Sequence, residues 1–144
     1  MYHRNKSAFF LVLVLTVCAF LSGCEMKKTH TDELGGIAGN MTDTEPEYLT
    51  QWPENAFTEK ITKPQSGTID YVLDDSDSGR YAVFIKDISA EECSRYVETL
   101  KDAGYSEIHS AGNTVSVGTM LERDDAYLSV SYSEGLLGVL ITLK

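Results

Sequence analysis

The chain has 144 residues, and its 22 acidic residues outnumber 12 Lys and Arg to give a net charge of −10 at neutral pH. A polyanion of this kind is repelled by phosphate backbones, so we expect no nucleic-acid partner. The acidity itself is typical of a soluble secreted domain.

The start of the chain has the organisation of a secretory signal peptide. Arg4 and Lys6 precede an apolar run over residues 8–20, and residues 21–23 lead into Cys24. This order of charge, apolar run and cleavage region is typical of a signal peptide. The run has thirteen residues, whereas a membrane-spanning helix needs about 20. We therefore predict a cleaved signal peptide over residues 1–23, with an uncleaved transmembrane anchor as the alternative.

Leu-Ser-Gly-Cys at residues 21–24 resembles the lipobox of bacterial lipoproteins. The resemblance implies that a diacylglycerol is joined to the Cys24 sulfur and that Cys24 becomes the mature N-terminus. One acyl chain, such as palmitate, holds a protein on a bilayer only marginally, so a stable anchor needs two. We expect a lipoprotein anchored through Cys24 on the extracytoplasmic face of the cell membrane, with a net charge of −12 once Arg4 and Lys6 have left with the signal.

Residues 24–51 predict a flexible tether between that anchor and a domain over residues 52–144. The segment has no sustained apolar period, two adjacent glycines at 35 and 36, and many Thr, Asp and Glu. Such composition cannot bury enough apolar surface to fold. As a random coil it would reach about 30 Å.

Regular apolar periods from Trp52 onward predict the elements of the domain. A short helical turn is expected between Trp52 and Pro64, with Ala56, Phe57 and Ile61 pointing inward. Strands are then expected over 68–73 and 81–85, joined by the turn formers of 74–79, and over 114–121, 126–132 and 136–143.

A helix is predicted over about residues 90–103. Ser89 and Glu92 have the spacing of a capping box. Apolar side chains follow at Cys93, Tyr96, Val97 and Leu100, and Gly104 is placed to end the helix in the left-handed conformation. The fold class is therefore α+β, a single helix packed on an antiparallel sheet in the order β-β-α-β-β-β.

The cysteines predict no disulfide scaffold. Cys18 leaves with the signal peptide and Cys24 is assigned to the lipid, so Cys93 has no partner in the chain. A lone extracytoplasmic thiol could be reactive, but its place on the apolar face of the helix favours a buried, inert side chain.

No motif for catalysis, metal or cofactor binding is evident. His30 lies in the tether and leaves His109 as the domain's histidine, and no Gly-x-Ser-x-Gly elbow is present. The acidic turn of Asp74, Asp75 and Asp77 fails the EF-hand spacing, so a hydrated hairpin tip is favoured over calcium. We expect no enzyme activity, no metal and no cofactor.

Aromatic side chains allow two interpretations. Trp52 could stack on a sugar or a peptide. Tyr71, Tyr81, Tyr127 and Tyr132 lie on or beside the predicted strands. They could form a recognition face, although packing in the core or between strands is favoured.

The folded part carries a series of short motifs: Trp52-Pro53, Lys63-Pro64, Ser66-Gly67, the Asp/Ser hairpin, Tyr96-Val97, residues 100–105 and the final alternating strands. Together they resemble an uncharacterised family of small domains in lipoproteins of Gram-positive bacteria, over about 90 residues. That family has no assigned activity, so the resemblance implies no functional residues. The expected function is a tethered binding or accessory domain for an envelope protein or small ligand; the alternative is an inhibitor or regulator of a cell-envelope enzyme.

Overall fold

One antiparallel sheet and one α-helix make up the fold of the described residues, which in this computed structural model are Met41, residues 43–113 and residues 116–144. In chain order the elements are β1 (Pro46–Tyr48), β2 (Thr68–Asp75), β3 (Arg80–Lys86), α1 (Ala90–Asp102), β4 (Ser106–Gly112), β5 (Ser116–Arg123), β6 (Ala126–Ser133) and β7 (Leu136–Leu143). Across the sheet the seven strands lie in the order β1-β2-β3-β7-β6-β5-β4. The α+β class is confirmed, with the sheet dominant. In these ranges no helix combines the length and the apolar composition of a membrane span.

The predicted order β-β-α-β-β-β is wrong, because the structure adds a strand on each side of the helix. The observed order is β-β-β-α-β-β-β-β. All seven residues of β4 are exposed, since this strand lies at the sheet edge beyond the core. A strand with no buried face shows no apolar alternation, so β4 has no period that could be detected in the sequence. β1 has only three residues, too few for any period.

The ordered sheet begins inside the segment that the sequence assigned to the tether. In β1, Pro46 pairs with Leu73 and Tyr48 pairs with Tyr71 of β2. Met41 is also buried, in a small apolar cluster. These contacts correct the predicted domain boundary at Trp52. Residues 24–40 and 42 of the predicted tether lie outside the described residues, together with the signal peptide.

Two apolar clusters occupy the two faces of the sheet. The larger one lies under α1, where its side chains meet residues such as Val83, Leu128 and Ile141 from three adjacent strands. The smaller cluster, on the opposite face, consists of Met41, Leu73, Ala82, Phe84 and Leu140. In the described residues α1 lies over one face of the sheet, and the smaller cluster lies on the other face.

The helix forms where the sequence places it, because both of its ends are capped. The Ser89 hydroxyl accepts a hydrogen bond from the Glu92 amide at 3.3 Å, and the Glu92 carboxylate accepts one from the Ser89 amide at 3.0 Å. At the other end Gly104 has φ of 97°. The amides of Gly104 and Tyr105 donate to the carbonyls of Lys101 and Leu100, which is the Schellman arrangement. The predicted capping box and left-handed glycine are confirmed.

The β2–β3 hairpin is confirmed, but its strands are longer than predicted. They extend to Asp75 and from Arg80, and the connection is a 3₁₀ turn over Ser76–Ser78 closed by Gly79. The Asp75 carboxylate accepts a hydrogen bond from the Arg80 Nε at 2.9 Å. This ion pair extends the ladder into residues that the sequence assigned to the loop.

Candidate functional site

Two adjacent grooves flank the loop of residues 62–67, which we call the groove loop. The helix groove, of about 410 Å³, lies between residues 62–66 and the side chains of Ile88, Glu92, Arg95, Tyr96 and Thr99. The tryptophan groove, of about 470 Å³, lies between residues 50–52 with Glu54 and a second wall of residues 63–64, 66–69 and Ile85. Both volumes are in the usual range for small-molecule sites. Lys63, Pro64 and Ser66 line both grooves, so the grooves form one bent surface.

Buried tyrosines hold the start of the groove loop against the core. The Tyr96 hydroxyl donates a hydrogen bond to the Thr62 carbonyl at 2.8 Å, and the Tyr105 hydroxyl donates one to the Lys60 carbonyl at 3.1 Å. Burial raises the pKa of the Tyr96 phenol, so it stays protonated and remains a donor at all physiological pH values. The groove loop is therefore fixed to α1 at its first residue.

Gly67 fixes the other end of the groove loop. Its φ is 82°, in the left-handed region that favours glycine. A Cβ atom there would lie 2.6 Å from the Ile85 Cγ2 and 3.0 Å from the Lys86 carbonyl oxygen. The backbone at Gly67 thus packs too closely against β3 for any side chain at this position. This contact determines where the chain leaves the groove loop and enters β2.

An Asn-centred turn positions Trp52. The Asn55 Oδ1 accepts hydrogen bonds from the amides of Phe57 and Thr58, both at 3.0 Å. The buried Thr58 hydroxyl donates to the Pro53 carbonyl at 2.8 Å. These bonds close the chain just after Trp52, whose half-buried ring packs on the core and lines the tryptophan groove. The predicted helical turn is confirmed as a 3₁₀ turn over Thr58–Lys60.

The inward residues of that turn were predicted only in part. Phe57 and Ile61 are buried as expected. Ala56 is exposed, which corrects the sequence prediction. Thr58 takes the inward position because its hydroxyl finds partners in the Asn55 turn, so a polar side chain can be buried there at little cost.

The charged side chains of the grooves differ in the hydrogen bonds and ion pairs that they already make within the protein. The Glu92 carboxylate accepts from the Ser89 amide and from the Ser89 hydroxyl, at 3.0 and 2.8 Å. Hydrogen bonds from Ser89 and Ser66 lower its pKa. Arg95 lies 3.8 Å from Glu91, with both side chains exposed. Lys63 is exposed and has no ion-pair partner among the described residues. Lys63 is thus the groove cation that is most available to a ligand.

Of the residues that the sequence singled out for chemistry and that the structure describes, Trp52 lines a groove, whereas His109 and the acidic turn of Asp74, Asp75 and Asp77 do not. Cys24 and His30 lie outside the described ranges. His109 is exposed on the edge strand β4. The Asp74 carboxylate accepts from the Ser76 amide at 3.0 Å and serves the hairpin turn. In residues 41, 43–113 and 116–144, no three His, Cys, Asp or Glu side chains lie close enough to share a metal ion.

Cys93 is fully buried, which confirms its predicted place in the core. Burial is the main cause that raises the pKa of its thiol to about 12. Because the thiolate is the reactive species, a thiol with this pKa is inert at neutral pH.

The tyrosines divide between the core and the surface. Tyr81 is buried and stacks on Phe57. Tyr71 stacks on Phe84 with ring centroids 4.4 Å apart, on the face away from α1. Tyr132 packs partly against the main core, and Tyr127 is 38% exposed. The favoured interpretation, packing, holds for three of the four, and they form no common recognition face.

Lys63, Gln65 and the α1 residues Arg95 and Thr99 were not predicted as site residues. The signal that could have located them is the run Thr-Lys-Pro-Gln-Ser-Gly at 62–67. Its Pro and Gly mark a fixed turn, and it begins ten residues after the single tryptophan. The turn is held against α1 by the hydrogen bond from the Tyr96 hydroxyl to the Thr62 carbonyl. No pattern in the sequence indicates this hydrogen bond.

Comparison of the chain with protein-family models, with curated proteins and with solved structures finds no match.

Proposed function

We propose that the protein is a bacterial lipoprotein, anchored through Cys24 on the extracytoplasmic face of the cell membrane, whose domain binds a component of the cell envelope. The observation that carries the proposal is the order of features before Glu25: two cations, a thirteen-residue run that is apolar except for Thr16, and Leu-Ser-Gly-Cys. The proposal assigns no catalytic residue. It agrees with the likeness of the short motifs to small domains of Gram-positive lipoproteins.

The two grooves are the proposed binding surface. They are concave, they share Lys63, Pro64 and Ser66, and the groove loop between them is fixed at both ends by Tyr96 and Gly67. A preformed surface loses little conformational entropy when a ligand binds. A binding domain needs such a preformed surface, whereas a domain that serves only as a spacer does not.

Metabolic labelling with a fatty acid tests the anchor. The protein should carry the label, Cys24→Ser should abolish it, and Cys18→Ser, the matched control inside the apolar run, should retain it. Label that persists on Cys24→Ser would overturn the lipoprotein proposal.

Site-specific photo-crosslinking tests the binding surface. A photoreactive amino acid in place of Gln65, which is exposed in the helix groove, should give a crosslinked product in the cell envelope. The same amino acid in place of Ser78, at the tip of the β2–β3 hairpin, should give none. Equal products at both positions, or none at Gln65, would contradict binding through the grooves.

A further inference from the structure

The side chains exposed in the grooves are mainly neutral and polar. Amides come from Gln51 and Gln65, and hydroxyls come from Thr50, Thr62 and Thr68, all of them exposed. Each of these groups can both donate and accept hydrogen bonds. They match a ligand that presents many hydroxyl groups at short intervals.

Apart from Ile69, which is half-buried in the tryptophan groove, the aliphatic residues of the grooves contribute little open surface. Ile85 and Ile88 are buried, at 4% and 2% exposure, and Pro64 is buried as well. The groove aromatic with open surface is Trp52, which is half-buried. A protein or peptide partner relies on apolar anchors that fill apolar pockets, and the described part of these grooves offers no such pocket. A sugar ring needs only one flat apolar surface among polar groups, which Trp52 supplies.

Strand addition by a peptide is also disfavoured where the tryptophan groove meets β2. β1 pairs with β2 at Tyr71, Val72 and Leu73, so the edge of β2 is open before Tyr71. However, the register of β2 shifts between Ile69 and Tyr71, and such a bulge interrupts the regular ladder of donors and acceptors. The open edge is therefore a poor template for an added strand.

The charge at the junction of the grooves favours an anionic ligand group. Lys63 lines both grooves and has no ion-pair partner among the described residues, whereas the Glu92 carboxylate, which keeps its charge, is held by hydrogen bonds from Ser89 and Ser66. Arg95 adds a second exposed cation to the helix groove, while Glu54 lies in the tryptophan groove. In a chain with a net charge of −10, an available lysine at the centre of a bent groove is a local exception.

We propose that the two grooves together bind a short acidic oligosaccharide, with a ring against Trp52 and its carboxylate or phosphate at Lys63. The inference rests on the proposed binding function and specifies its ligand. Two grooves joined through the groove loop suit a ligand of several rings that crosses it. An oligosaccharide bearing either acid would serve.

Trp52 is the only tryptophan in the chain, so its fluorescence reports occupancy of the tryptophan groove directly. The purified protein is titrated with tetragalacturonate, with a phosphorylated maltotetraose, with neutral maltotetraose and with tetraglutamate. At least one acidic saccharide should change the fluorescence, and it should bind about two- to five-fold more tightly than maltotetraose, as expected for one exposed charge pair. The two acidic arms distinguish a carboxylate from a phosphate.

Variants separate the charge from the fold. Lys63→Gln should reduce the affinity for the acidic saccharide to that for maltotetraose, whereas Lys144→Gln, whose ammonium pairs with Glu122 outside both grooves, should leave it unchanged. Thermal unfolding of both variants should match that of the parent. Equal binding of neutral and acidic saccharides, tighter binding of tetraglutamate, or no response to any saccharide would each overturn the proposed ligand class.

The outcome also separates this inference from the proposed function. A crosslink at Gln65 without saccharide binding would refute the oligosaccharide and leave the binding function intact. Absence of both would refute the binding function itself.

Discussion

At the scale of single residues, two glycines with nearly the same backbone conformation show what the groove loop demands. Gly67 has φ of 82° and Gly135 has φ of 85°. A Cβ at Gly67 would meet β3 at 2.6 Å, while a Cβ at Gly135 would meet nothing within 4 Å. At both positions the positive φ disfavours a residue with a side chain, but only at Gly67 is there also no space for a Cβ atom.

Gly67→Ala should therefore destabilise the protein more than Gly135→Ala. The left-handed backbone alone costs about 1 kcal/mol for a non-glycine residue, which is the expected loss at Gly135. The clash with Ile85 and the Lys86 carbonyl should add about 1–3 kcal/mol at Gly67, as overpacking does elsewhere. Urea unfolding followed by Trp52 fluorescence measures both. Equal losses would mean that the groove loop can shift away from β3.

At the scale of elements, the sequence predicts those with a buried face or a capping signal. Cys93, Tyr96, Val97 and Leu100 repeat with the helical period, and Ser89 with Glu92 marks the start of α1. The alternation of β6 likewise reflects one buried face. These patterns result from burial, so the exposed strand β4 could not produce one. The grooves were not predictable for a related reason, since they depend on how the loop packs on α1.

The capping box makes a measurable contribution to α1. Ser89→Ala should lower the free energy of unfolding by about 1 kcal/mol, because the Glu92 amide loses its partner. Glu91→Ala, in the same turn, breaks only an exposed ion pair with Arg95 at 3.8 Å and should change it by less than about 0.5 kcal/mol. Urea unfolding distinguishes them. A loss at Ser89 as small as that at Glu91 would show that packing alone holds the helix end.

An ion-pair cluster connects the 3₁₀ turn over Thr58–Lys60 to the β5–β6 hairpin. The Asp125 carboxylate lies 2.9 Å from the Lys60 Nζ and 3.2 Å from the Arg123 Nε. Hydrogen bonds from these two cations lower the pKa of Asp125 to about 2. An unfolded Asp titrates near about 3.9, so the folded state is favoured by this group above that pH.

The contribution of Asp125 to the free energy of unfolding should therefore decrease as the pH falls. A lowered folded pKa gives a contribution that is complete above about pH 4 and is lost as the pH falls towards 2. Asp125→Asn should be less stable than the parent at pH 6, and the difference should vanish near pH 2. Asp124→Asn, the adjacent carboxylate, removes neither ion pair and is the control. A difference that is constant from pH 6 to pH 2 would contradict this electrostatic role.

At the scale of the whole molecule, the proposed anchor residue Cys24 precedes a sheet whose first strand begins at Pro46. The short β1 and the buried Met41 start the ordered part nearer in sequence to the proposed anchor residue than the predicted boundary at Trp52 implied. The grooves formed by residues 50–54, the groove loop and α1 thus begin close in sequence to β1. We propose that this binding surface is held at a membrane through the Cys24 sulfur.

The mass of the N-terminal peptide, measured on protein extracted from bacterial membranes, tests this attachment. We expect a peptide that begins at Cys24 and carries a diacylglyceryl group on sulfur, with residues 1–23 absent. The neighbouring peptide that contains Trp52 should have its unmodified mass, which serves as the internal control. An N-terminal peptide that still begins at Met1, or one that begins elsewhere and carries no lipid on Cys24, would contradict the account.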